Sequence, residues 1–497
     1  MKRLLVVDDL TPVAAYATLR AQSEGAPSFL LESAPTAGER WGRYSVIGWR
    51  PRRAVTLDLV SEGREVRLRV VDLATRVSGG APAAPLTKVA PCSEAMALLR
   101  AHAVSASSIP EDPDVPRVVG AAVGFVAYDL VHALEPVPSW PGERRLAHLL
   151  DGATVVVFDA LLQTVSIHGE DAAAIDETVA ALEGTRPRLR PFAVPPRDAR
   201  PDAQVGLDDE AYARIVERAQ EYIRAGDIFQ VVLARTFCIP RDDADPFDAY
   251  RALRVLNPSP YLYYLDLPAP SADDGPRGPR AIAGASPETL VRLEDGRITV
   301  RPLAGTRPRH VDPERDRALE DELLSDPKER AEHVMLVDLG RNDVGRVAAI
   351  GTVEVPVQMA IERYSHVMHI VSEVHGTLAK DRDAWDVLAA TFPAGTLSGA
   401  PKVRAMQIIR ELEAGPRGIY GGAIGYVSRH GTMDFAIAIR TIAATETHFE
   451  VSAGAGIVEG SVPSLEAQET RHKAGAALAA VASARRASAV SAPKIPK

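Results

Sequence analysis

Two Glu-x-x-Glu runs, Glu329/Glu332 and Glu466/Glu469, are the residues whose type and spacing point most directly to chemistry. Three apart on a helix, the two carboxylates of each run share one face. Their hard oxygens suit Mg²⁺, which is usually held by one or two protein carboxylates while substrate oxygens and waters complete the shell. Two helices that each bring one ligand and one supporting carboxylate make such a site. Spacing alone leaves the ordinary reading open: Glu329 caps its helix, and Glu469 pairs with Lys473 four residues on.

The elements that must position these residues are legible locally. Asp326 reads as a helix N-cap, Pro327 as the first helical position, and Glu329 as the partner closing a capping-box-like pair. A second helix is expected from near Ser464, with Glu466, Glu469 and Lys473 on one face. Helical patterns cover 209–225, 327–339 and 464–481, and β-like runs cover 154–159, 298–302 and 450–453. Strands with interspersed helices, without a regular β-then-α alternation, predict an α+β fold around large, mostly antiparallel sheets. Two glycine-rich stretches fail as nucleotide motifs. Gly454, Gly456 and Gly460 give GxGxxxG, one residue too long for the dinucleotide fingerprint, and GTLSGAPK at 395–402 lacks P-loop spacing.

At 497 residues the chain exceeds a single ordinary core, so two lobes or a very large core are expected. The Pro- and Arg-rich stretch 185–202 reads as a linker between an N-terminal part, 1–184, and a catalytic part, 203–482. Residues 269–280 read as a surface insertion, and 483–497 as a disordered tail. The net charge of −9 gives no general attraction to nucleic acid or anionic membranes, so an anionic ligand needs a local site. No stretch has the apolar length of a membrane span or the pattern of a signal peptide. Two cysteines, Cys92 and Cys238, make no disulfide framework and fit a reducing cytoplasm.

Seven motifs, in order over half the chain, resemble the chorismate-utilising enzymes: GDIFQVVL (226–233), ASPE (285–288), RPLAGT (301–306), EHVMLVD (332–338), RND (341–343), TLSGAPK (396–402) and DFAIAIR (434–440). The resemblance implies a two-lobed fold like that of anthranilate synthase component I. It implies Glu332 and Glu469 as Mg²⁺ ligands, supported by Glu329 and Glu466. It implies substrate contacts from Gly305, Thr306, Thr396, Tyr420, Arg440, Gly454, Ala455, Gly456 and Lys473. The amides of the failed glycine motif would then face a carboxylate, and Arg440 would be its bidentate partner. His369, in HVMH at 366–369, resembles the active-site histidine, whereas His366 fits a packed or surface role. Glu288 is the expected general acid.

Within that family, three features select the product. Gln230 stands where water-adding members carry a lysine base, and an amide cannot deprotonate water. Ala304 stands where aminodeoxychorismate synthases commonly carry a nucleophilic lysine, and alanine forms no adduct. LLES (30–33) with GRYS (42–45), and NPSPY (257–261), resemble the two sides of a tryptophan feedback pocket, with Glu32, Ser33, Pro260, Tyr261 and Leu262 as its residues. The expectation is amination of chorismate and loss of pyruvate to give anthranilate. Neither cysteine has a nucleophile-elbow context, so the ammonia is expected from a separate glutamine amidotransferase subunit in a hetero-oligomer. The rivals are an aminodeoxyisochorismate or aminodeoxychorismate synthase, and a non-catalytic chorismate or tryptophan sensor. A sensor's mark would be loss of a metal carboxylate, Glu288 or His369, and all are present.

Overall fold

In the computed structural model, residues 1–497 are described except 24, 35–39, 74–83, 106–114, 190, 194–195, 197–198, 200, 268–277, 365–366 and 490–497. His366 and most of the 269–280 insertion therefore lie outside the described residues.

Two 12-stranded sheets, antiparallel throughout their described pairings, make the body. The first runs, in spatial order, through Ser28–Glu32, Tyr261–Asp266, Ala281–Ser286, Thr441–Ala444, His448–Ile457 and Gln230–Pro240. The second runs through Leu303–Pro308, Val367–Thr377, Arg297–Val300, Thr289–Glu294, Met433–Ile437, Ala423–Val427 and Ala122–Val126. The expected α+β architecture is what folds.

The sequence boundary at 185–202 does not divide the cores. Leu262 pairs with Glu32 in one sheet, and Ile424 pairs with Phe125 in the other, so each sheet is completed by strands from both parts. Pairing across the boundary covers strand edges that either part alone would leave open. Between the sheets lies an apolar layer drawn from both, including Phe29, Val155, Tyr263 and Ile282 from one and Val123, Phe125 and Ile424 from the other. Further cores form on the outer faces, among them one against helices Pro246–Leu256 and Pro463–Ala489 and one against Ala384–Thr391.

Local expectations held with two corrections. Asp326 caps Pro327–Gly345 by accepting from the Lys328 and Glu329 amides, with Pro327 in the first turn. Glu329 does not close the capping box, because its carboxylate accepts instead from Arg307 at 3.2 Å, a charged partner that outcompetes a backbone amide. The C-terminal helix continues to Ala489, so residues 483–489 are helix rather than tail. Ser483 and Ala484 are buried, which gives that last stretch a packing reason to stay helical.

Candidate active site

Two of the short connections by which the chain crosses from one sheet to the other each carry a charged residue. Glu288 lies between Ala281–Ser286 and Thr289–Glu294; Arg440 lies between Met433–Ile437 and Thr441–Ala444. The crossings are tied together by Ile437 N–H donating to Glu288 O at 3.0 Å and Ala285 N–H donating to Arg440 O at 3.2 Å. Arg440 adopts φ +50°, a conformation L residues rarely hold without support from their surroundings. Among the described residues its guanidinium forms no ion pair; it donates to Asn257 Oδ1 at 3.1 Å. Burial, the largest influence, lowers its pKa. A desolvated guanidinium with a single neutral partner suits an incoming carboxylate.

Glu288 is 8% exposed and accepts from Thr396 Oγ1 at 2.8 Å. Burial raises its pKa from 4.5 to about 7 against the opposing pull of Thr396, Lys473 and Arg440. A carboxyl group poised near neutrality can donate a proton. Beside Glu288 and Thr396, a cavity of about 30 Å³ is walled by Leu336, Leu339 and Gly340 of the Glu332 helix.

His369, on the strand Val367–Thr377, is 4% exposed. Its Nδ1 lies 2.9 Å from Gly305 O and 3.0 Å from Thr306 Oγ1. A carbonyl can only accept, so Nδ1 carries the hydrogen and Nε2 is left as the acceptor. Burial, with a smaller effect from Arg440, lowers its pKa to about 4, which keeps the ring neutral at pH 7. Gly305 has φ +70°, the left-handed region that favours glycine, and that turn delivers its carbonyl to the ring.

Gly454 and Gly456 lie on His448–Ile457, opposite Ala234 and Val232 of Gln230–Pro240. On the other side the neighbouring strand pairs only as far as Ile442↔Val451, which leaves the 454–456 backbone one edge without a described strand partner. Lys473 donates to Gly454 O there at 3.2 Å. A Cβ on Gly454 would stand 2.8 Å from the Tyr420 hydroxyl, and one on Gly456 2.8 Å from Gln230 Nε2. Gly454, whose added Cβ would also stand 2.6 Å from the Leu233 carbonyl oxygen, has no room for a side chain, and a side chain on Gly456 would displace the Gln230 amide.

The two carboxylate helices converge on this end of the sheets. Arg235 anchors the second, donating to Thr470 Oγ1 at 2.8 Å and Ala467 O at 2.6 Å. Lys328, near the start of the first helix, is close enough to Glu466 to lower its pKa, although burial and the like charge of Glu469 leave it raised. Glu332 is half-buried and accepts from Gln230 Nε2 at 3.0 Å; among the described residues it forms no ion pair. Glu469 pairs with Lys473 at 2.7 Å, and Glu329 with Arg307. No three His, Cys, Asp or Glu side chains converge among the described residues. Glu332 with its neutral partner, and Glu469 with Glu466 beside it and Lys473 opposite, are nevertheless hard oxygen donors of the kind that fit Mg²⁺ whose shell is completed by substrate.

At the second candidate site, Glu32 faces Leu262 across the strand pair, and Ala34 N–H donates to Ser259 O at 3.1 Å, so LLES and NPSPY meet. Glu32 is buried and already accepts from Tyr250 at 2.5 Å and Arg254 at 3.1 Å. Ser33 is half-buried and Pro260 buried. Leu262 packs in the outer core, whereas Tyr261 packs toward the inter-sheet layer and its hydroxyl donates to Asp434 at 2.8 Å. These two neighbours therefore serve opposite faces, as strand alternation requires.

Sequence reasoning missed Arg307 and Arg235, which anchor the carboxylate helices. It quoted Asn257 without seeing that it joins Arg440 to the Ala285 carbonyl, to which it donates at 3.1 Å. An arginine one residue beyond the Gly305-Thr306 pair was a visible signal for Arg307; nothing local marked the others.

Residues 59–479 match the family of chorismate binding enzymes, and the chain belongs to that family. It is 43% identical over 490 residues to anthranilate synthase component 1 of Pseudomonas aeruginosa, covering 95% of this chain and 93% of that one. It is 43% identical over 491 residues to the Thermus thermophilus anthranilate synthase component 1, covering 97% of each. The crystal structure of anthranilate synthase component I from Streptococcus pneumoniae superposes with a TM-score of 0.70 at 33% identity, covering 88% of this chain and 92% of that one. The Escherichia coli menaquinone-specific isochorismate synthase, at 20% identity and a TM-score of 0.64, shares the fold. The match reaches well before residue 203, in keeping with sheets that both parts of the chain build.

Proposed function

We propose that this chain is the chorismate-converting component of an anthranilate synthase, using ammonia delivered by a separate glutamine amidotransferase subunit and restrained by tryptophan. The observation that carries the reading is Gln230, an amide that holds Glu332 where water-adding relatives place a base. The near-full-length similarity to anthranilate synthase component 1 supports it.

Glu332 and Glu469, with Glu329 and Glu466 behind them, would hold Mg²⁺, which when bound neutralises and orients a substrate carboxylate. Arg440 grips the other carboxylate, and the 454–456 backbone edge with Lys473 and Tyr420 bounds the ligand. Ammonia forms a C–N bond on the ring carbon beside the carboxylate. The allylic C–O bond breaks, and the hydroxyl departs as water with the proton of Glu288. His369 Nε2, neutral and unencumbered by the Gly305 contact, then takes the proton from the aminated carbon. The bond between the ring carbon and the enolpyruvyl oxygen breaks, the departing enolate takes up the proton that the added nitrogen sheds and becomes pyruvate, and the ring becomes aromatic.

The test is incubation with chorismate, Mg²⁺ and ammonium at mildly alkaline pH, with products identified by mass. Anthranilate with pyruvate supports the proposal. An aminated product that keeps the enolpyruvyl group identifies an aminodeoxyisochorismate or aminodeoxychorismate synthase, and no turnover identifies a sensor.

A further inference from the structure

Beneath the substrate-facing surface lies a buried ion pair that the mechanism does not use. Arg417 and Glu413, with side chains 3% and 4% exposed, join at 2.5 Å just beyond the helix Lys402–Leu412. The arginine spends its donors on more than its partner. Nε donates to Glu413 Oε2 at 2.9 Å, Nη1 to Leu397 O at 2.6 Å, and Nη2 both to Glu413 Oε1 at 2.5 Å and to Val232 O at 2.6 Å. Glu413 Oε1 also accepts from Ala234 N–H at 2.8 Å. The guanidinium carbon lies 4.6 Å from the Tyr128 ring centre and 5.7 Å from that of Tyr420.

Each group held this way adjoins the candidate site. Leu397 follows Thr396, whose hydroxyl donates to Glu288. Val232 and Ala234 are the strand partners of Gly456 and Gly454. Tyr420 stands against Gly454. A buried ion pair is a poor source of net stability compared with apolar packing, whereas a rigid fork reaching several acceptors fixes geometry. We propose that Arg417 is a positioning residue: clamped by Glu413, it holds the Thr396 turn, the strand behind Gly454 and Gly456, and Tyr420 in one register. The proposal rests on the chorismate-site reading above.

Two variants test it. Arg417→Lys keeps the charge opposite Glu413 but cannot reproduce the fork. The double variant Arg417→Met/Glu413→Leu removes both charges, so neither is left buried alone. Steady-state kinetics with chorismate and ammonium should show kcat/KM for chorismate reduced by about 100-fold in both, the order expected for misplacement near 1 Å. Both should still melt cooperatively. The alkaline limb of kcat should move upward as Thr396 leaves Glu288, a change that a loss of stability does not produce. Crystal structures of the variants supply a readout independent of turnover: the Thr396 Oγ1–Glu288 distance should lengthen beyond hydrogen bonding. An unchanged distance, or wild-type kcat/KM in either folded variant, overturns the proposal. Failure of both variants to fold assigns the pair to stability and overturns it as well. If the wild-type chain converts no chorismate, the proposed function fails, and the crystallographic distance still decides the role of Arg417.

Discussion

Glu288 should cost this protein stability at the pH where it works, and its removal should return that stability in a pH-dependent way. Its carboxyl is buried and titrates at about 7 in the folded chain, against 4.5 when solvated. Below pH 4.5 both folded and unfolded chains carry the proton. Between 4.5 and about 7 only the folded chain holds it, so each pH unit in that window removes stability; above about 7 the loss is complete. At about 1.4 kcal/mol per pH unit, the rise from 4.5 to about 7 amounts to roughly 3 kcal/mol. Glu288→Gln replaces the ionisable group with a neutral side chain of similar shape that can still accept from Thr396. Denaturant unfolding of both proteins, without chorismate or Mg²⁺, should show the variant gaining about 3 kcal/mol more at pH 8 than at pH 4.5. The same variant should lose nearly all turnover, as expected where a site trades stability for function. A stability difference that does not change between pH 4.5 and 8 would refute the reasoning, because burial of an ionisable carboxyl would then not be its source.

Other expectations follow from the same geometry. Glu332→Gln should lower Mg²⁺-dependent turnover by roughly 100-fold or more, measured across a Mg²⁺ titration; an unaltered titration would remove Glu332 from the metal site. Gly456→Ala drives a methyl to 2.8 Å from Gln230 Nε2, so kcat/KM for chorismate should fall and the Gln230–Glu332 contact at 3.0 Å should break. Ser33→Phe overpacks the junction of LLES and NPSPY, and the tryptophan concentration for half-inhibition should rise roughly tenfold or more; unchanged inhibition would place the pocket elsewhere. The purified chain should turn over chorismate with ammonium salts and not with glutamine, and glutamine-dependent turnover by this chain alone would refute the separate amidotransferase.

Much of the site was legible from the chain because its parts are local. The Asp326-Pro327 start of a helix, the spacing of Glu329 with Glu332 and of Glu466 with Glu469, and the glycine motif all depend on neighbours a few residues apart. The motifs at 285–288 and 434–440 likewise named Glu288 and Arg440. What they could not convey is that both residues mark places where the chain changes sheets, because a crossing is defined by strand partners more than a hundred residues distant. The linker misled for a related reason. Composition records where the backbone is extended, whereas strand pairing decides which segments share a core, and Leu262 beside Glu32 overrode the boundary. Ionisation was equally hidden: nothing adjacent to Glu288 or His369 announces burial, yet burial brings one to about 7 and the other to about 4. The sequence by itself determined which side chains are available and on which helical face they stand. Only the tertiary structure decided which of them lose water and which find partners, since desolvation and long-range hydrogen bonds are properties of the packed chain.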